Sequence, residues 1–183
     1  MCQRSTDGTT GGYGVVEFDG KNMNHYYKGT NLDHSKQFRT YDRNSIHITG
    51  DAFAPDANPA NKQALENDYG KLYSSQSSAN EVYINVWNWA DGWNIEVKEN
   101  GKSLDVTHLY TKDPLHIIAY EARRLNKNQT PTSSFVSKNT PHIFKVTAAG
   151  ASSTLEIKVT DTYGNLYTES MQRPKQFGVA SVD

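Results

Sequence analysis

Three groups of residues in this chain have types that could do chemistry. Gly101-Lys102-Ser103 ends like a phosphate-binding loop, in which backbone amides cradle the phosphates and a lysine reaches them. That loop requires glycine five residues before Gly101, and Glu96 stands there. Asp161-Thr162-Tyr163-Gly164-Asn165 offers oxygens to calcium, but its acidic spacing departs from the Asp-x-[Asp/Asn]-x-[Asp/Asn]-Gly loop. Both stretches read as turns. His25, His34, His47, His108, His116 and His142 are scattered rather than spaced as metal ligands. There is no His-Glu-x-x-His, no Gly-x-Ser-x-Gly elbow and no dinucleotide fingerprint. The sequence therefore predicts no catalytic residue, no cofactor-binding residue and no metal ligand in this chain.

The third group is aromatic: Tyr83, Trp87, Trp89 and Trp93. Trp93 alternates in phase with Ile95 and Val97 and is expected in the core. Tyr83, Trp87 and Trp89 share a face with charged and amide side chains. They are expected either under a loop or helix, or outside as a contact surface. Such a surface would be a platform for a flat ligand such as a sugar ring, or a docking face for another domain.

The elements that must position these residues are mostly strands. Glu81 to Trp89 is rich in β-branched and aromatic residues. Asp91-Gly92 and Asn100-Gly101 follow at hairpin spacing. Two-residue turns there predict a three-stranded meander, with Val86 opposite Val97 and Val97 opposite Leu104. All apolar residues then fall on one face. The same register puts Trp87 beside Glu96 and Asp105, and Trp89 beside Asn94. A hairpin is predicted from Tyr13-Gly14-Val15-Val16-Glu17-Phe18 through Asp19-Gly20 to Met23-Asn24-His25-Tyr26-Tyr27. Another runs from Thr154–Val159 through Asp161-Thr162-Tyr163-Gly164 to Leu166-Tyr167-Thr168. Phe38-Arg39-Thr40-Tyr41 and Ile143-Phe144-Lys145-Val146 add two strands.

One helix is predicted after Asp113-Pro114, a cap residue followed by a first-turn proline, with Leu115, Ile118, Ala122 and Leu125 at helical spacing. A shorter one, Asn61 to Asp68, follows Pro59. The fold class is all-β, mainly an antiparallel β-sandwich, with one or two short helices. Residues 1–11 read as a boundary or linker, and 12–183 as a single domain.

Composition narrows the function classes. The 183 residues carry 19 Lys and Arg against 20 Asp and Glu, for a net charge of −1. This disfavours a nucleic-acid binder held by a broad basic face. No run approaches the roughly 20 apolar residues of a membrane-spanning helix. Cys2 is the single cysteine, so no internal disulfide supports the fold. The start, Met1 to Gly8, lacks the apolar stretch of a signal peptide, as expected of a cytoplasmic chain or of a piece cut at a domain boundary.

Asn85-Val86-Trp87-Asn88-Trp89, Trp93 and Glu99-Asn100-Gly101-Lys102 resemble the C-terminal domain of bacterial calcineurin-like phosphoesterases. So do Asp7-Gly8-Thr9, Gly12-Tyr13-Gly14, Phe18-Asp19-Gly20, Tyr27-Lys28-Gly29 and Gln37-Phe38-Arg39. Asp113-Pro114-Leu115, His142-Ile143-Phe144 and Val159 to Tyr167 complete the series, which runs in order from Asp7 to Phe177.

The resemblance implies a periplasmic or secreted parent enzyme in which this domain follows a catalytic domain with two divalent metals. The catalytic signatures Asp-x-His, Gly-Asp-x-x-Asp, Gly-Asn-His-Glu and Gly-x-His do not stand here, and after Gly164-Asn165 comes Leu166 rather than histidine. The expected function is thus a non-catalytic accessory domain that packs on the catalytic domain in cis and helps position substrate. Tyr83, Trp87 and Trp89 are the expected contact surface. The alternative is a carbohydrate-binding module that uses the same aromatics on a glycan.

Overall fold

The computed structural model describes residues 5–178. Cys2, and with it the question of its thiol, lies outside them. Among the described residues, ten strands make three antiparallel sheets. The first is the hairpin β1 (Gly12–Asp19) and β2 (Asn22–Gly29), which joins neither of the others. The second runs in the order β3 (Phe38–Asp42), β4 (Glu81–Val86), β8 (Thr140–Thr147), β7 (Thr107–Thr111). The third runs β10 (Leu166–Met171), β9 (Leu155–Thr160), β5 (Asn94–Glu99), β6 (Lys102–Ser103).

The two four-stranded sheets face each other. Val82, Ile84, Val86, Phe144 and Val146 of one meet Val97, Leu155, Ile157, Val159 and Met171 of the other in a single core. On β5 and β9 exposed residues alternate with apolar ones, as a sheet with one wet face requires. Strand β4 is different, with Val82 to Val86 all buried. Its second face is covered by helices, and a strand buried on both sides reads as a continuous apolar run.

That cover is a second core. Tyr41, Tyr83 and Ile143 from the sheet meet Leu65, Leu115, Ile117, Ile118, Ala122 and Leu125. Two short helices, α1 (Gly50–Phe53) and α2 (Pro59–Ala64), come first, and α2 widens into a π-helical turn over Leu65–Tyr69. The second unit runs unbroken through α3 (Pro114–His116), a π-helical stretch at Ile117–Ala122 and α4 (Arg123–Asn126). Asp113 caps it, its carboxylate accepting from the His116 amide at 2.8 Å, and Pro114 opens the first turn. The β-sandwich with short helices is thus observed, with the helices gathered on one face.

The predicted meander needs a correction. The Asn100-Gly101 turn stands: both residues take positive φ, Glu99 pairs with Lys102, and the Leu104 amide reaches the Val97 carbonyl at 2.9 Å. Strands β4 and β5, however, do not pair. β4 lies between β3 and β8, and β5 pairs with β9 so that Val97 sits opposite Ile157. Asn88 takes φ 55°, which ends the extended run after Trp87. The chain then turns through Ala90 to Trp93, with Gly92 at φ 91°, and crosses to the other sheet. Val86 and Val97 share one core, but from opposite sheets of the sandwich instead of side by side.

Candidate functional site

The three aromatics expected to form one contact surface do not form it. Tyr83 is 7% exposed and stands edge-on to Tyr73 at 6.5 Å within the helix-side core. Burial, then the nearby Glu81 charge, raises the pKa of its hydroxyl. Trp87 is 0% exposed, with the Arg39 guanidinium 5.4 Å from its ring and its amide donating to the Gln37 carbonyl. Trp89 is half-buried, its ring 4.7 Å from His108 and 5.5 Å from Phe144. Tyr83 and Trp87 project from the sheet face that the helices and loops cover, so neither offers a ring to a partner or a sugar. Trp93 is half-buried and stacks on Tyr167 at 6.5 Å, with the core contacts expected of it.

What the sequence did not single out is a charged cluster along the outer edge of β3, an edge strand of its sheet. The segment after β10 runs past it. Arg173 pairs with Asp42 at 3.1 Å, both side chains 0% exposed, and the Lys175 amide donates to the same carboxylate at 3.3 Å. Phe177 lies 6.2 Å from the Tyr41 ring. Glu169, reaching across from β10, takes Lys36 at 3.0 Å and Lys175 at 2.8 Å. Burial alone would raise its pKa. The Lys36 and Lys175 charges, with hydrogen bonds from Lys175 and Thr40, outweigh that and hold it below its ordinary value of 4.5. Between these groups lies a cavity of about 250 Å³, bordered by Lys36, Arg39, Tyr41, Trp87, Lys175 and Phe177.

A metal does not fit the residues present. Among the described residues no three His, Cys, Asp or Glu side chains come together. The nearest approach is the pair Asp7 and His142 at 3.0 Å. For Asp7, burial pushes the pKa up, but hydrogen bonds from His142 and Thr9 leave it lowered. No third ligand converges on this pair, so it ties the segment before β1 to β8. Nor, among the described residues, is any helix long and apolar enough to cross a membrane.

The family model described as the C terminal of calcineurin-like phosphoesterase matches residues 2–167. This chain belongs to that family. The match runs from before the first hairpin to the start of β10, and so takes in nine strands, the first two residues of β10 and the helices between them. No curated protein and no solved structure matches the chain. The cavity beside β3 lies partly past the matched residues, because Lys175 and Phe177 follow residue 167.

Proposed function

We propose that this chain is a non-catalytic accessory domain that packs on the phosphoesterase domain of the same polypeptide through its first hairpin, and so helps hold substrate at that domain. The observation that carries it is the apolar face of β1 and β2. Val16 is 51% exposed, Phe18 73% and Met23 46%. Phe18 pairs with Met23 and Val16 with His25, so all of these share one face. The opposite face is mixed: Asn24 and Tyr26 donate to Glu17 there, beside Val15 and Tyr13.

A lone two-stranded hairpin is marginal in water. This one joins neither large sheet and is tethered by Asn165 donating to Asn24 at 2.6 Å and by Tyr163 beside His25. An apolar patch left open at such a place marks an interface. The export expected of the parent enzyme goes with this proposal.

Amide hydrogen exchange of residues 12–29 tests it, with this chain alone and with the chain joined to a phosphoesterase domain. Slower exchange in the joined protein, reversed by Phe18→Ser with Met23→Ser, is the expected result. Equal exchange in both would rule the hairpin out as the contact.

A further inference from the structure

The ion pairs at the edge of β3 leave out one cation. Glu169 is shared by Lys36 and Lys175, and Asp42 is held by Arg173. Arg39 has no carboxylate partner among the described residues. It is 8% exposed, and its Nη1 is shut off from solvent without a hydrogen-bond partner. Its charge and a hydrogen bond act on the Tyr41 hydroxyl, and its Cζ stands 5.4 Å from the Trp87 ring centre. Asp113 is occupied: its oxygens accept from Tyr41, Asn85 and the His116 amide. Lys36, Lys175 and Arg173 thus each pair with a carboxylate, and among the described residues Arg39 is the cation of this edge without an ion pair.

A buried donor left unpaired is costly, and more so on a charged group. The contact with Trp87 offsets part of that cost. The remainder calls for an anion. The cavity is where one would sit: Arg39 lines its inner wall, and Lys36 and Lys175, with side chains 42% and 37% exposed, line it toward solvent.

We propose that this cavity binds a phosphate group, either free or carried on a small monoester. Three cationic side chains, Arg39, Lys36 and Lys175, border the cavity, with Asp42 there held by Arg173, and a phosphate offers them at least three oxygens where a carboxylate offers two. A guanidinium presents its donors as a fork suited to phosphate oxygens, and two ammonium groups add point charges that can follow the remaining ones. The volume of about 250 Å³ admits the phosphate with a short substituent. The site gives the domain a ligand of its own and does not depend on the hairpin as a docking face.

Isothermal titration calorimetry of the 183-residue chain tests it with inorganic phosphate, phenyl phosphate and, at equal ionic strength, acetate. Saturable binding of one phosphate or one ester per chain is expected, with acetate at least tenfold weaker. Whichever of the two binds tighter identifies the source of the group. Arg39→Gln should weaken binding about tenfold or more, as befits a lost charged donor. Lys36→Gln with Lys175→Gln, both at partly exposed positions, should do the same in a fold that circular dichroism shows intact. These lysines keep the test decisive if Arg39→Gln does not fold. No saturable binding, equal binding of acetate, or binding unchanged in the folded lysine variant would overturn the proposal.

Discussion

Asp113 caps the helix that follows it with one carboxylate oxygen and, with the other, accepts the Tyr41 hydroxyl at 2.6 Å. Asn85 donates to that second oxygen at 2.8 Å. One buried side chain therefore sets both the start of the helix and its seat on the sheet. Burial, with the Asp113 charge next, pushes the Tyr41 hydroxyl well above its ordinary range and keeps it a donor at neutral pH.

Asp113→Ala should lower stability by about 3 kcal/mol or more, because it removes a cap and strands two buried donors. Tyr41→Phe leaves the cap and the Asn85 bond in place and should cost about 1 kcal/mol. Urea unfolding of both variants checks the order. Equal losses would mean that the carboxylate does not join helix to sheet.

Gly8 lies against the same carboxylate. It takes φ 82°, and a Cβ there would stand 2.1 Å from the Asp113 Cγ, on a side chain pinned by its hydrogen bonds. Gly8→Ala combines a left-handed backbone position with a clash, and should cost at least about 2 kcal/mol. Its thermal midpoint should fall well below that of Gly20→Ala, since nothing lies within 4 Å of a Cβ at Gly20. Similar midpoints would contradict this packing.

Acid should loosen the β3 edge through Glu169. Its folded pKa lies below the ordinary 4.5, so its contribution is fully present above 4.5 and is lost as pH falls through the folded value. Glu169→Gln should remove that part of the slope below pH 4.5 while lowering stability at pH 7. Urea midpoints from pH 7 to 3 measure it. An unchanged slope would show that the two lysines do not hold this carboxylate charged.

Trp87 should be dark to quenchers. In the double variant Trp89→Phe with Trp93→Phe, the remaining indole is 0% exposed beneath Arg39. Acrylamide, a neutral quencher, should leave its fluorescence nearly unchanged until the protein unfolds. Quenching in the folded state would reopen Trp87 as a surface residue.

Much of this fold is legible in the sequence where the signal is local. The helix after Asp113 follows from a cap, a proline and an apolar stripe within a dozen residues. Asn100-Gly101 makes its turn because both residues accept positive φ. Asp91-Gly92 carries the same signal, but Asn88 has already ended the strand, and the true neighbours of β4 are remote in sequence. Burial of Tyr83 and Trp87 was hidden for the same reason: their cover is built from segments far along the chain. The unpaired donor on Arg39 was equally illegible. It depends on Glu169 pairing with Lys36 across 133 residues, and on Arg173 reaching Asp42 across 131.

The most direct test of a chain that adheres but does not cleave is hydrolysis of bis-(p-nitrophenyl) phosphate. The purified 183-residue chain is supplied with manganese or zinc, beside the same chain joined to a phosphoesterase domain. The joined protein should turn over substrate, while the chain alone stays at the rate of metal in buffer. Metal-dependent turnover by the chain alone, at enzyme-like rates, would contradict the account.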